Sequence, residues 1–209
     1  MDNLKVEIKK LDSKYINEIA QLTYDTKGFA MFVSKLGLNY MKNIYFKNIL
    51  EIGAGFCAFV DGVFAGFIIC TEDSEGYYDY VTSKRRFNSL PYMFLFGLKH
   101  PLSFLELVKY KFFLKDFEEV DINAEITLFV VKPEYRSPAF YFDYRISITE
   151  MLMNEALKLM KSKNIEKVKL EVPADNKPAK AFYKALKFYP FGEINFGKVT
   201  RTIYVKDID

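Results

Sequence analysis

Apolar and polar residues alternate along Leu4-Lys5-Val6-Glu7-Ile8, the two-residue period of a half-buried strand. Asp12 or Ser13 then caps a helix carrying Ile16, Ile19, Ala20 and Tyr24, which ends near Gly28. Helical spacing continues over residues 30–50, with a division near Gly37. Residues 55–73 form two β-rich runs around Asp61-Gly62, a pair suited to the positive φ angles of a type I′ hairpin. Over 74–123 the pattern predicts one or two helices, the apolar residues Leu102, Leu105, Val108, Phe112 and Phe113 recurring at helical spacing. Residues 125–131 are continuously apolar after Glu125, which suits a buried central strand. A helix follows with Ile148, Leu152, Ala156, Leu159 and Met160 on one face and Asn164 at its C-terminal end. Residues 167–172 alternate as a strand, and Asn176 caps a short helix burying Ala179, Phe182, Tyr183 and Leu186. Runs at 192–196 and 200–205 close the chain as an antiparallel pair. This order predicts an α/β fold around one mixed sheet, with residues 1–209 as a single domain and 74–123 as a helical insertion.

Composition narrows the function classes. The chain has 209 residues, half of them apolar and 27% charged, which describes a globular protein. A net charge of +3 does not by itself argue for nucleic acid, and the one tight basic cluster, Lys84-Arg85-Arg86, reads as a solvated loop. Cys57 and Cys70 sit in apolar runs as buried thiols, and with His100 the single histidine no metal site is expected. The N-terminus has no apolar leader and no run nears the ~20 residues of a membrane helix, so a cytoplasmic location is expected.

One loop bears on chemistry. YRSPAFYFDYRISITEML, residues 135–152, joins a strand to a helix, where phosphate groups often bind, yet no glycine occurs between Gly97 and Gly192. Three stretches around it resemble the GNAT superfamily of N-acetyltransferases. ITLFVVKPEYR is similar to that family's central strand ending in Val-x-Pro-x-x-Arg, and EMLMNEALKLMKSKN resembles the helix after its pyrophosphate loop. LEVPADNKPAKAFYKALKF resembles its strand, Asn, small residue and Phe-Tyr pattern. The likeness covers residues 53–72 and 124–205 and treats 74–123 as an insertion. The chain departs from the family at the loop. Ser147 and Thr149 stand at the two glycine positions, about eight extra residues (roughly 137–144) follow Arg136, and Lys187 replaces the glycine ending the last helix. A second register would put the loop at Arg136-Ser137-Pro138-Ala139, with an over-long helix behind it.

The resemblance implies a GNAT-like, mostly antiparallel sheet flanked by helices, and acetyl-coenzyme A as co-substrate without a metal. Backbone groups of Phe129, Val130 and Val131 would bind the acetyl carbonyl and the pantetheine amides, through a splay of the central strand from its neighbour. Ser147 and Thr149 would face the pyrophosphate at a helix N-terminus, with Arg136 or Arg145 adding charge. Asn176 and Phe182 would complete the coenzyme contacts. Ser147 and Glu150 also read simply as a capping box, and Tyr183 as a core tyrosine. In the functional reading Tyr183 is the general acid for the departing thiolate, and Glu125 or Glu171 is the base, directly or through water.

The implied activity is acetyl transfer from acetyl-coenzyme A to a primary amine of a small molecule, an amino sugar being one candidate. The alternative is a non-catalytic GNAT-like interaction domain that has lost coenzyme binding with its glycines. The aromatic insertion reads as a lid over the acceptor, as packing in the core or a homodimer, or as a peripheral membrane contact through 91–115, where lysines accompany Phe and Leu.

Overall fold

The computed structural model describes residues 4–26, 31–80, 89–99, 101, 121–196 and 199–208. Seven strands form one sheet: β1 (Val6–Lys10), β2 (Ala54–Val60), β3 (Val63–Thr71), β4 (Glu125–Val131), β5 (Lys167–Pro173), β6 (Tyr189–Phe196) and β7 (Val199–Asp207). Their spatial order is β1-β2-β3-β4-β5-β7-β6, and every neighbouring pair is antiparallel except β4 with β5. The first strand starts two residues later than its alternation suggests, and the last two extend beyond theirs. Asp61 and Gly62 both take positive φ (49° and 79°), as the type I′ hairpin between β2 and β3 requires.

The helices fall on two faces. On one lie α1 (Ile16–Asp25), α2 (Met31–Lys35) and α3, a continuous helix through Leu38–Tyr40, a π-type segment Met41–Tyr45 and Phe46–Ile52. Asp12 opens this region by accepting from the Lys14 amide at 2.9 Å. Gly37, at φ 91°, makes the break between α2 and α3 that the sequence places there. Ile19, Tyr40, Met41, Phe46 and Ile49 pack against Phe67, Ile69, Leu128 and Val130 to form the core of this face. Residues 74–80 form the short helix α4, and Leu90–Lys99 form α5, whose Phe96 and Tyr92 join the same core. The expected helix after Pro101 and the cluster Lys84-Arg85-Arg86 lie outside the described residues.

The other face carries α6 (Pro138–Tyr144), α7 (Ile148–Ser162) and α8 (Lys177–Ala185). Ile148, Leu152, Ala156 and Met160 of α7 are buried against Ile68, Ile126, Leu170 and Val172. Cys57 and Cys70 are buried and unpaired with one another, and burial pushes both thiols up to about 12. Asn164 and Lys187 adopt left-handed conformations (φ 58° and 64°) just past the ends of α7 and α8. Lys187 therefore occupies a glycine-type helix stop with a β-carbon in place. Lys187→Gly should raise unfolding stability by about 1 kcal/mol, measured by denaturant midpoint.

Candidate active site

The site begins with an interruption in the sheet. β4 and β5 are parallel but pair only at Glu125 with Lys169 and Ile126 with Leu170. Beyond Ile126 the two strands part, while β4 stays paired with β3 up to Val131. A bulge lies at the point of parting: Cys70 faces Ile126 and Ile69 faces Leu128, leaving Thr127 as the extra residue. The Thr127 hydroxyl donates to the Ile69 carbonyl at 3.3 Å. Close approach of β3 to β4 needs Gly66, where a Cβ would lie 2.7 Å from the Val130 carbonyl oxygen.

The bulge also decides where the backbone points. The Lys132 amide donates to the Ala65 carbonyl at 2.9 Å, so Lys132 and, by alternation, Val130 face β3. Phe129 and Val131 accordingly turn their amide and carbonyl groups into the gap toward β5, where no strand pairs with them. Buried backbone groups must find partners, so this gap is a natural place for a ligand that carries amides.

Two helices start at the open end, because α7 follows the C-terminal end of β4 and α8 that of β5. Ser147 caps α7 by accepting from the Glu150 amide at 3.3 Å and exchanges a 3.1 Å hydrogen bond with Thr149. Glu150 makes no return bond to Ser147 among the described residues, so the expected capping box is half formed. The first amides of α7 are free by helix geometry, with the positive end of the dipole behind them. The extra residues after Arg136 form α6 as a separate helix, capped by Ser137 and ended by Arg145 at φ 56°. This matches the register that puts Ser147 and Thr149 at the loop. Arg136 and Arg145 are both exposed, and the Arg145 guanidinium lies 5.8 Å from the Phe142 ring. Asn176 caps α8 by accepting from the Ala179 amide at 3.2 Å. Phe182 of α8 reaches across to Phe129 of β4, with ring centroids 6.0 Å apart.

Tyr183 is 7% exposed and packs against Phe182, Phe188 and Tyr204. Burial raises its hydroxyl pKa well above the ordinary phenol value, so it stays protonated. The two glutamates lie on the opposite face of the sheet. Ile126, Leu170 and Val172 point to the α7 and α8 core, so Glu125 and Glu171 point away from it. Glu171 is ion-paired with Arg201 of β7 at 3.3 Å. Glu125 is 3% exposed and accepts a 2.7 Å hydrogen bond from the hydroxyl of Tyr78 in α4. The Tyr78 ring is half exposed, but its hydroxyl turns inward onto this carboxylate. Burial first, then the nearby Glu171 charge, raises the Glu125 carboxyl to about 7; the Tyr78 bond opposes this rise.

The structure thus gathers Phe129, Val131, Phe182, Ser147, Thr149 and Asn176 around the open end, with Val130 turned to β3. Tyr183 lies on one face and Glu125 with Glu171 on the other. Tyr78 and Arg201 are residues that sequence reasoning missed. Arg201 was accessible from the alternation of β7, where a basic residue sits diagonal to Glu171 in the next strand. Tyr78 comes from a segment without a diagnostic pattern. Hollows of about 350 and 270 Å³ lie at the other end of the sheet, beside Asp73 and Lys163 and beside Asn123 and Lys167. Among the described residues no cluster of His, Cys, Asp and Glu has the makings of a metal site.

Residues 32–188 match the model of the Acetyltransferase (GNAT) family, three quarters of the chain, and the protein belongs to that family of acetyl-coenzyme A-dependent enzymes. A Bacillus subtilis (strain 168) protein named "Putative ribosomal protein bS18-alanine N-acetyltransferase" is 36% identical over 70 residues. That stretch is 34% of this chain and 41% of the relative, less than half of either. The fold resembles that of a PaiA N-acetyltransferase from Thermoplasma acidophilum in complex with coenzyme A (TM-score 0.58, 17% identity, 97% of this chain and 99% of that one). It also resembles an N-acetyltransferase from Staphylococcus aureus Mu50 (TM-score 0.58, 11% identity, 98% and 99%).

The buried Glu125 has a stability consequence. Its folded-state pKa of about 7 exceeds the ordinary 4.5, so the folded chain holds this proton more tightly than the unfolded chain does. Stability is lost as pH rises from about 4.5 through about 7, and Glu125→Gln removes that loss. The variant should gain up to about 3 kcal/mol over the wild type at pH 8 and nothing comparable at pH 4, read from thermal or denaturant midpoints.

Proposed function

We propose that this chain transfers an acetyl group from acetyl-coenzyme A to a primary amine by direct attack. The parting of β4 from β5 beyond Ile126 carries this reading, because it opens a passage between the two faces of the sheet. The pantetheine arm would lie along Phe129 and Val131, extending the sheet as a strand would. The pyrophosphate would meet the free amides of Ile148 and Thr149 at the start of α7, with Arg145 or Arg136 beside it. Glycine would allow closer approach, but the hydrogen bonds come from the backbone, which any residue supplies.

The acceptor would approach from the face that holds Glu125. An amine arrives protonated, and a carboxylate with a pKa near 7 can take its proton, directly or through water. The attacking nitrogen forms its bond to the acetyl carbon, and a strand amide stabilises the oxyanion. As the carbon–sulfur bond breaks, the thiolate takes a proton from the Tyr183 hydroxyl on the other face, and the second proton that the new amide nitrogen sheds passes through water to restore the phenol. Burial keeps the phenol protonated and so able to donate to the thiolate as that charge develops beside it. Arg201 pairs directly with Glu171, whereas the hydrogen bond given to Glu125 comes from the neutral Tyr78 hydroxyl, which favours Glu125 as base over its neighbour.

For the acceptor we favour a small amine, an amino sugar among them, because α4 brings Tyr78 over the carboxylates on that side. A protein N-terminus is the second reading, favoured by the Bacillus subtilis relative, whose name specifies an alanine acceptor in a ribosomal protein. A panel of amino sugars, polyamines and short peptides with free N-termini separates the two.

Acetyl-coenzyme A at a hundred times its dissociation constant should stabilise the fold by about 2.7 kcal/mol. No thermal shift and no calorimetric heat would instead favour a non-catalytic domain. On the substrate found, Tyr183→Phe should lower kcat by roughly 100-fold or more with little change in KM for acetyl-coenzyme A. The wild-type rate should rise with pH through about 7 as Glu125 ionises. Tyr78→Phe removes a bond that favours the anion, so the rise should move to higher pH; an unmoved profile would exclude Glu125 as the titrating base.

A further inference from the structure

The helix α5 is apolar on both sides. Its inner face packs Phe96, which is 5% exposed, and Tyr92, whose ring lies 5.3 Å from that of Tyr40. Its outer face holds Leu90, Phe94, Leu95 and Leu98, at spacings of three and four residues. These are 56%, 67%, 56% and 66% exposed, the largest set of apolar side chains that any one helix presents to solvent among the described residues. A helix apolar all round is ordinarily enclosed on all sides or set against lipid. A contiguous exposed stripe of this kind marks an interaction surface rather than a solvated face.

Charge selects the partner. Between Asp79 and Glu106 the chain carries Lys84, Arg85, Arg86 and Lys99 and not one carboxylate, although Asp and Glu number 27 in 209 residues overall. Lys99 is exposed at the end of α5 itself. Two copies meeting through α5 would offer its Lys99 no carboxylate from the facing helix, which has none. An anionic bilayer satisfies both features, since it accepts apolar side chains at the acyl boundary and attracts lysine and arginine at the headgroups. No described helix is long and apolar enough to cross a membrane, so the contact is peripheral. We propose that the outer face of α5 docks this protein on an anionic lipid surface. The proposal does not depend on which amine is acetylated.

The chain has no tryptophan, so Phe94→Trp is a clean reporter. Vesicles of phosphatidylcholine with about a third phosphatidylserine should shift its emission to shorter wavelength, and pure phosphatidylcholine should not. In co-sedimentation the wild type should bind the anionic vesicles roughly tenfold better than the neutral ones, and high salt should release it. Phe94→Ser with Leu98→Ser should abolish binding while the thermal midpoint and the response to coenzyme A stay as in the wild type. An unshifted emission from the Phe94→Trp variant on anionic vesicles, or equal binding to both vesicle types, overturns the proposal. A concentration-dependent dimer that the double substitution dissolves overturns it as well, assigning the face to a second copy. The reporter keeps the test decisive if the double substitution disturbs folding.

Discussion

Two residue pairs hold β4 to β5, and the rest of the site follows from the fact that there are only two. Parallel strands that stayed paired to their ends would satisfy Phe129 and Val131 internally and close the sheet. Parting after Ile126 leaves those backbone groups facing a gap, at the end of the sheet where α7 and α8 both begin. Hydrogen-bonding potential and two helix dipoles then converge without any specialised side chain. The bulge at Thr127 makes this compatible with a paired β3–β4 ladder, because it turns the backbone groups of Phe129 and Val131 toward the gap while those of Leu128 and Val130 face β3.

The two faces of the sheet beside the gap differ in environment. On the α8 side Tyr183 sits among aromatic rings, and desolvation keeps its hydroxyl protonated. On the α4 side a pair of carboxylates is treated unequally. Glu171 has a cationic partner in Arg201, while Glu125 is buried with a neutral hydroxyl and is raised to about 7. A protonated phenol on one face and a carboxyl raised toward neutrality on the other are the groups that the proposed acetyl transfer would use to give one proton and take another.

Missing glycines in the loop before α7 change its shape more than its potential for chemistry. The inserted residues fold into α6, and Arg145 takes the left-handed conformation that ends it. Ser147 then restarts the chain as an N-cap, so the amides of the next turn stay available. Lys187 makes the same substitution after α8, holding a glycine-type dihedral with a side chain present. At both positions the backbone geometry is kept by its surroundings at a local conformational cost.

Much of this was legible in the chain. The Asp61-Gly62 hairpin, the break at Gly37, the strand from Glu125 to Val131 and the Asn176 cap follow from local dihedral preferences and from the two periodicities. Local rules also sufficed for the buried stripe of α7 and for Tyr183 on the inner face of α8. The splay, the bulge and the Tyr78–Glu125 bond were not available to such rules, because each depends on residues dozens of positions apart. Glu125 reads in sequence as a strand-end carboxylate that water would solvate. Burial in the folded chain, with Glu171 nearby, raises its carboxyl to about 7 against the opposing Tyr78 bond. What the sequence determined by itself was which elements form and where they stop, since those are decided within a few residues. Tertiary structure decided which backbone groups go unpaired and which charges are desolvated, since both depend on what lies across the gap in space.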